Sequence, residues 1–368
     1  MEQLVREQPP GFGGVERVAH NLATEWGDRV YSLRSARSDY DPLMVCYSRS
    51  RLPSIALGRL LLPIPSLSIF QLLISRKPLL VHLPCPTVLV LLLIARLINP
   101  RRDLRVYWHS CITPRRSFSG YLEAIYQALA YRLVKIFPVT TTSPMLLKTL
   151  SRNGFPEHRL TWLACALSVD IEQAYNQICS QRSKVPFQLK GRIIAVGRLD
   201  SYKRIDWLIK AFASVLSAKE LWLVGDGPDR SKLEALAQSN KRSDQRITFF
   251  GRIDEQSKIQ LLRDSDVLVL AADRCNEAFG IVQLEAMACA TPAIAFDIAD
   301  SGMHWVSRVR TLSWSGKPKD LALVLERLLQ EAPLCQLVAE QSRQRYKSHF
   351  AYEVWKRRFQ EIFTDNEY

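Results

Sequence analysis

From residue 192 to residue 297, short apolar runs alternate with amphipathic stretches, and this alternation limits the fold more than any other feature. RIIAVG at 192–197 reads as a strand, and RIDWLIKAFASVLS after it places apolar residues at 205, 208, 209, 212, 215 and 216, one face of a helix. LWLVG, ITFFG, VLVLAA and AIAFD continue the strands, and PDRSKLEALAQ, EQSKIQLLRDS and FGIVQLEAMAC continue the helices. Parallel strands need a crossover between them, so strands separated by helical stretches predict a doubly wound parallel sheet.

The first half reads as a second α/β domain with thinner strands: VYSL, MVCYS, LLVHL, RVYWHS and VTTTS. Its first strand, QLVRE, is more polar than a buried strand usually is. A chain of 368 residues exceeds what one core serves, and the expected division is a domain over 1–180, a polar linker at 178–190, a domain over 191–345 and a terminal segment 346–368. The helix expected at 350–363 would pack back toward the first domain.

Hydrophobic residues at 47% and charged ones at 23% exclude a disordered or fibrous chain. The net charge of +14 is one-sided: residues 51–150 hold 13 Lys or Arg against Asp103 and Glu123, whereas residues 187–368 hold 27 against 24 acids. A basic face attracts something anionic, namely lipid headgroups, nucleic acid or a phosphorylated substrate. The eight cysteines show no CxxC spacing and no accompanying His cluster, which predicts neither zinc nor disulfides. MEQLVREQPP lacks a charged-then-apolar leader, so a cytoplasmic chain is expected. PTVLVLLLIARLI at 86–98 is too short to span a bilayer and reads as a buried helix.

GFGGVER at 11–17 is a glycine-rich turn entering a helix, where Gly13 and Gly14 would offer backbone N–H groups to an anion. VGRLDSYKRID at 196–206 sets Arg198 and Lys203 past a strand end, on the edge where parallel sheets bind ligands; a fork and a point charge together suit a diphosphate. RCNEAFGIVQLEAM at 274–287 opens on the same edge and holds Glu277 and Glu285. The DSD at 264–266 matches an Asp-x-Asp metal pattern, but its place between a helix and a strand assigns Asp266 to strand entry.

These motifs together, GGVER, VGRLD-x-x-K, GDGP at 225–228, FFGR and E-x-F-G-x-x-x-x-E, resemble the retaining glycosyltransferases of family 4 along nearly the whole chain. The resemblance implies the GT-B fold, two Rossmann-like α/β domains facing a cleft, and a nucleotide-sugar donor bound by the C-terminal one. It assigns Arg198 and Lys203 to the donor diphosphate, Glu277 to hydroxyls of the donor sugar, and Glu285 to the nucleotide ribose. Phe279, Gly280 and Ile281 would lend N–H groups at a helix start, with Arg252 and Ile253 beside the base. YWHSCITP makes His109 the histidine near the transferred sugar, and Cys111 stands where many close relatives carry an acid.

The expected activity is therefore retaining transfer of a hexose from GDP-mannose or a UDP-sugar to a lipid-linked or cell-surface saccharide, as in polysaccharide or lipopolysaccharide synthesis. The chain would act beside an anionic membrane surface, without a metal, another cofactor or a nucleic acid partner. A GT-B sugar-nucleotide epimerase and a non-catalytic basic binding protein are the alternatives.

Overall fold

The structure is a computed structural model that describes residues 1–9, 13–34, 45–58, 60–114, 117–179 and 188–364. Its contacts divide the chain into two units, Met1–Ser168 with Ile362–Tyr368, and Val169–Glu361.

The first unit runs β1 (Glu2–Glu7), α1 (Gly14–Trp26), β2 (Val30–Arg34), β3 (Arg49–Arg51), β4 (Ser54–Leu57), β5 (Leu60–Pro63), α2 (Leu67–Ile74), β6 (Leu79–Leu83), α3 (Pro86–Ile98), β7 (Leu104–Trp108), α4 (Phe118–Val134), β8 (Val139–Thr141), α5 (Pro144–Arg152) and β9 (Leu160–Trp162). Seven strands form a parallel sheet in the order β3-β2-β1-β6-β7-β8-β9, and β4 pairs with β5 as an antiparallel hairpin outside it. Helices cover both faces of a parallel sheet, so its inner strands are buried throughout, as LLVHL of β6 is.

The polar first strand lies near the middle of this sheet, because its polar residues have partners. Glu2 accepts from Arg102 Nη2 at 2.8 Å, and the Arg102 guanidinium also donates to the carbonyls of Lys77 and Leu72. Arg102 is 3% exposed, so it does not belong to a basic surface. Arg115 and Arg116, which sequence reasoning would add to that surface, lie outside the described residues, as do 180–187 of the expected linker. The expected strand MVCYS is absent over its described residues; the edge strand forms at Arg49–Arg51 instead, where Arg49 pairs with Val30 and Ser50 with Tyr31.

The second unit comprises α6 (Val169–Cys179), β10 (Arg192–Val196), α7 (Ile205–Ser214), β11 (Glu220–Val224), α8 (Arg230–Asn240), β12 (Arg246–Gly251), α9 (Glu255–Asp264), β13 (Val267–Leu270), α10 (Ile281–Ala288), β14 (Ala293–Ala295), α11 (Met303–Ser307), α12 (Leu321–Gln330), α13 (Ala332–His349) and α14 (Tyr352–Phe363). Its five strands are parallel, in the order β12-β11-β10-β13-β14, with the reversal of strand order beside β10. The apolar faces read from the sequence form the core: Leu208, Ile209 and Phe212 of α7 pack with Ile193, Leu223 and Val269.

Helix α6, which sequence reasoning puts in the first domain, packs in the second unit. Glu172 accepts from the Tyr352 backbone N–H and the Tyr346 hydroxyl, and Tyr175 donates to Glu255. The chain's last helix ends in the first unit, where Phe363 packs edge-on against Trp26 at 5.2 Å between ring centroids.

Candidate active site

In the second unit the loops after β10, β11 and β12 are laced together at the C-terminal edge of the sheet. Gly197 N–H donates to the Val224 carbonyl at 2.9 Å, Leu199 N–H to Asp226 at 3.1 Å, and Gly225 N–H to Gly251 at 2.7 Å. The approach is possible only because Gly225 has no side chain. Its φ of 124° excludes L side chains, and a Cβ there would overlap the Gly197 carbonyl. The GDGP turn thus holds the VGRLD loop from above, and this fixes where Arg198 and Lys203 emerge. Arg198 reaches outward, with Asp200 at 3.8 Å and most of its side chain exposed. It is free to meet an anion.

Lys203 ends a short 3-10 turn, Ser201–Lys203, and is followed by Arg204 at φ 48°. That left-handed conformation is held by three contacts of the Arg204 guanidinium. It pairs with Asp206 at 2.7 Å and Asp273 at 3.1 Å, and it lies 3.6 Å over the Trp207 ring. The turn aims the Lys203 ammonium at the Glu277 carboxylate, and the two form an ion pair. Burial pushes the Lys203 pKa down, but Glu277 and Tyr202 outweigh it, so Lys203 is held above the ordinary lysine value.

Glu277 comes from the loop after β13, which is tied back at both ends. Asp273 N–H donates to the Tyr202 carbonyl at 3.0 Å, and the Ser301 hydroxyl donates to the Glu277 carbonyl at 2.5 Å. Gly280 then starts α10 at φ 75°, where a Cβ would collide with Leu270. Phe279 is buried, and Ile281 begins the helix whose N–H groups point out of the sheet edge. A cation pair, a carboxylate and a helix N-terminus thus converge at one edge.

Glu285, about one turn into α10, is 3% exposed and goes to a different cation: Lys258 Nζ lies 2.9 Å from it and 2.9 Å from Glu255. Lys258 and Glu255 were missed by motif reading; their i,i+3 spacing on α9 was the available signal. Arg252 is exposed and Ile253 half-buried just past β12, on the same edge. Asp266 is 2% exposed and accepts the backbone N–H groups of Lys190 at 3.0 Å and Arg192 at 2.7 Å, which pins the entry of β10.

In the first unit His109 follows β7. It is 6% exposed and bonds His82 (Nε2 to Nδ1, 2.8 Å), while His82 Nε2 bonds Gln3 Oε1 at 2.8 Å. Register explains the row. Gln3 pairs with Leu80 and His82 with Tyr107, so Gln3, His82 and His109 share one face of the sheet. Burial lowers the pKa of His82 to about 3 and, together with His82, lowers that of His109 well below the usual histidine value. Gly13 and Gly14 stand exposed at the start of α1, and the Glu16 carboxylate folds back against Gly13. Burial pushes the pKa of that carboxyl up.

Residues 180–345 match the model of the family described as glycosyl transferases group 1. Over 104 residues the chain is 35% identical to N-acetyl-alpha-D-glucosaminyl L-malate synthase of Bacillus anthracis, covering 28% of this chain and 26% of that protein. Over 123 residues it is 36% identical to a GDP-mannose-dependent monoacylated alpha-(1-6)-phosphatidylinositol monomannoside mannosyltransferase of Corynebacterium glutamicum, covering 31% and 32%. The matches therefore span about a third or less of those relatives. Among solved structures, Anabaena Alr3699/HepE in complex with UDP-glucose superposes with a TM-score of 0.75 at 17% identity over 99% of both chains. WaaG, a glycosyltransferase involved in lipopolysaccharide biosynthesis, superposes at 0.68 and 17% over 99% of this chain and 100% of its own. The chain thus has the α/β fold of GT-B glycosyltransferase structures, and its second unit carries the match to glycosyl transferases group 1.

Proposed function

We propose that this protein is a retaining glycosyltransferase that moves a hexosyl group from a nucleoside-diphosphate sugar, GDP-mannose or a UDP-sugar, to a lipid-linked or cell-surface saccharide. The observation that carries the reading is the convergence of Arg198, Lys203, Glu277 and the start of α10 on one edge of the second sheet. In transfer the bond from the anomeric carbon to the diphosphate oxygen breaks, and its electron pair leaves with the nucleoside diphosphate. The acceptor hydroxyl oxygen bonds that carbon, and its proton passes to the departing diphosphate. Lys203, Arg198 and the N–H groups at Gly280 and Ile281 would stabilise the charge that develops on the departing diphosphate, without a metal. Glu277 would accept hydroxyls of the donor sugar, Glu285 those of the ribose, and His109 would bond the transferred sugar. Support comes from the group 1 match and from relatives whose names specify GDP-mannose and neighbours solved with UDP-glucose.

A membrane-borne acceptor fits the first unit's surface. Ile55, Leu57, Leu60 and Leu62 line one face of the hairpin and are exposed, as are Leu67, Phe70 and Ile74 on α2 and Phe118, Tyr121, Leu122, Ile125 and Leu129 on α4. Residues 42–101 contain seven Lys or Arg and no acid. Exposed apolar side chains amid positive charge suit the cytoplasmic face of an anionic bilayer. No helix among the described residues is long and apolar enough to cross a membrane.

Incubation with a panel of labelled nucleotide-sugars, with and without bacterial membranes, tests the reading. Transfer of label to a lipid or saccharide supports it. Conversion of the nucleotide-sugar without an acceptor would indicate an epimerase, and binding without turnover a non-catalytic protein.

A further inference from the structure

The row Ala19, Gln3, His82, His109 allows one assignment of protons. Gln3 Nε2 donates to the Ala19 carbonyl at 3.2 Å, so its amide is oriented with Oε1 toward His82. An amide oxygen only accepts, so the hydrogen between Gln3 and His82 sits on His82 Nε2. Burial keeps His82 neutral, so its Nδ1 carries a lone pair and accepts, and the hydrogen in the next bond sits on His109 Nε2. His109 Nδ1 is then left as an acceptor, and no residue among those described bonds it. The rings cannot swivel out of this arrangement. His82, Tyr107 and His109 stack within 20° of parallel at centroid separations of 4.6–5.8 Å, and the Tyr107 hydroxyl donates to the Leu163 carbonyl at 2.6 Å.

We infer that Gln3 and His82 are positioning residues that hold His109 in its Nε2–H tautomer, so that His109 meets its ligand as a hydrogen-bond acceptor for a sugar hydroxyl. The tautomer follows from the hydrogen-bond geometry and from the burial that keeps His82 neutral; only the hydroxyl ligand rests on the reading of the protein as a glycosyltransferase. A polar strand in the middle of a parallel sheet thereby gains a purpose. Gln3 is 1% exposed, yet it decides which nitrogen of His109 is available.

The test uses the full chain labelled with ¹⁵N-histidine, with long-range ¹H–¹⁵N correlation to read each ring's tautomer and single His→Gln variants to assign signals. His82 and His109 are both expected as Nε2–H tautomers. Gln3→Met, close in volume but unable to accept, should release the pair into a mixture of tautomers. Circular dichroism checks that each variant folds. In transfer assays Gln3→Met should lower kcat about 10- to 100-fold, the factor for one misdirected hydrogen bond. A wild-type spectrum with His109 in the Nδ1–H form overturns the inference, as does a folded Gln3→Met protein with unchanged tautomers. Unchanged kcat alongside changed tautomers overturns the role assigned to His109. A wild-type protein that transfers no sugar overturns the functional reading, while the tautomer result stands on the spectra.

Discussion

Removing Glu277 should destabilise the second unit as well as stop transfer. In the structure Glu277 and Lys203 pair, with 13% of the Lys203 side chain and 16% of the Glu277 side chain exposed. Stranding one member of a fully buried pair costs about 3–5 kcal/mol, and the partial access of water here reduces that to about 2 kcal/mol for Glu277→Ala. Truncating Lys203 as well removes the stranded charge, so the double variant should be more stable than the sum of the single losses implies, by about 1 kcal/mol. Rising pH should narrow the gap between wild type and Glu277→Ala. Wild-type Lys203 titrates above its ordinary value, so its contribution is complete below pH 10.5 and is lost as pH rises through the native value. Without Glu277, burial is the leading influence and lowers the native pKa, so Glu277→Ala should gain stability as pH climbs toward 10.5. Urea unfolding of the four proteins, followed by tryptophan fluorescence between pH 7 and 10.5, measures both effects. Additivity within about 0.5 kcal/mol, with parallel pH slopes, would refute the argument.

Gly225→Ala should weaken binding of UDP or GDP at least about tenfold, because the added Cβ pushes the GDGP turn off the VGRLD loop; unchanged binding by calorimetry would show that the loops can part. Acid should destabilise the first unit. His82 keeps its native pKa near 3, so its contribution is complete above pH 6.5 and falls by about 2 kcal/mol at pH 5; His109, also held low by burial, adds to the loss, and His82→Gln should remove only the share of His82 in denaturant titrations. EDTA should leave transfer unchanged, and a loss restored by Mg²⁺ or Mn²⁺ would redirect attention to Asp264 and Asp266. Anionic vesicles should bind the protein more tightly than neutral ones, and 1 M salt should remove only part of that binding because the exposed apolar side chains are not screened. Leu67→Ser with Phe70→Ser should remove more of it, and failure to sediment with either vesicle type would end the membrane assignment.

The second sheet was legible because each of its strands is a compact apolar run and each helix shows its face within one stretch of chain; local periodicity suffices for that. The C-terminal-edge position of Arg198, Lys203 and Glu277 followed from the same pattern, since loops after parallel strands open on one edge. What periodicity could not show was partnership across distance. Glu277 and Lys203 stand 74 residues apart, and only folding makes each the other's counter-ion. Glu285 likewise reads as an open hydroxyl acceptor until Lys258 is seen against it. The first strand is the clearest case. Its polar residues argue against burial as long as the strand is taken alone, because an unpartnered carboxylate or amide is costly to bury. Arg102, 100 residues on, and His82, 79 residues on, supply the partners, and a strand that looks like an edge by composition takes a place near the centre of the sheet. Composition and spacing determine which segments become strands and helices and which edge gathers the loops. Which polar groups are satisfied, and hence which charges remain free to meet a ligand, depends on residues far apart in the chain and is decided only when the tertiary structure brings them within hydrogen-bonding distance.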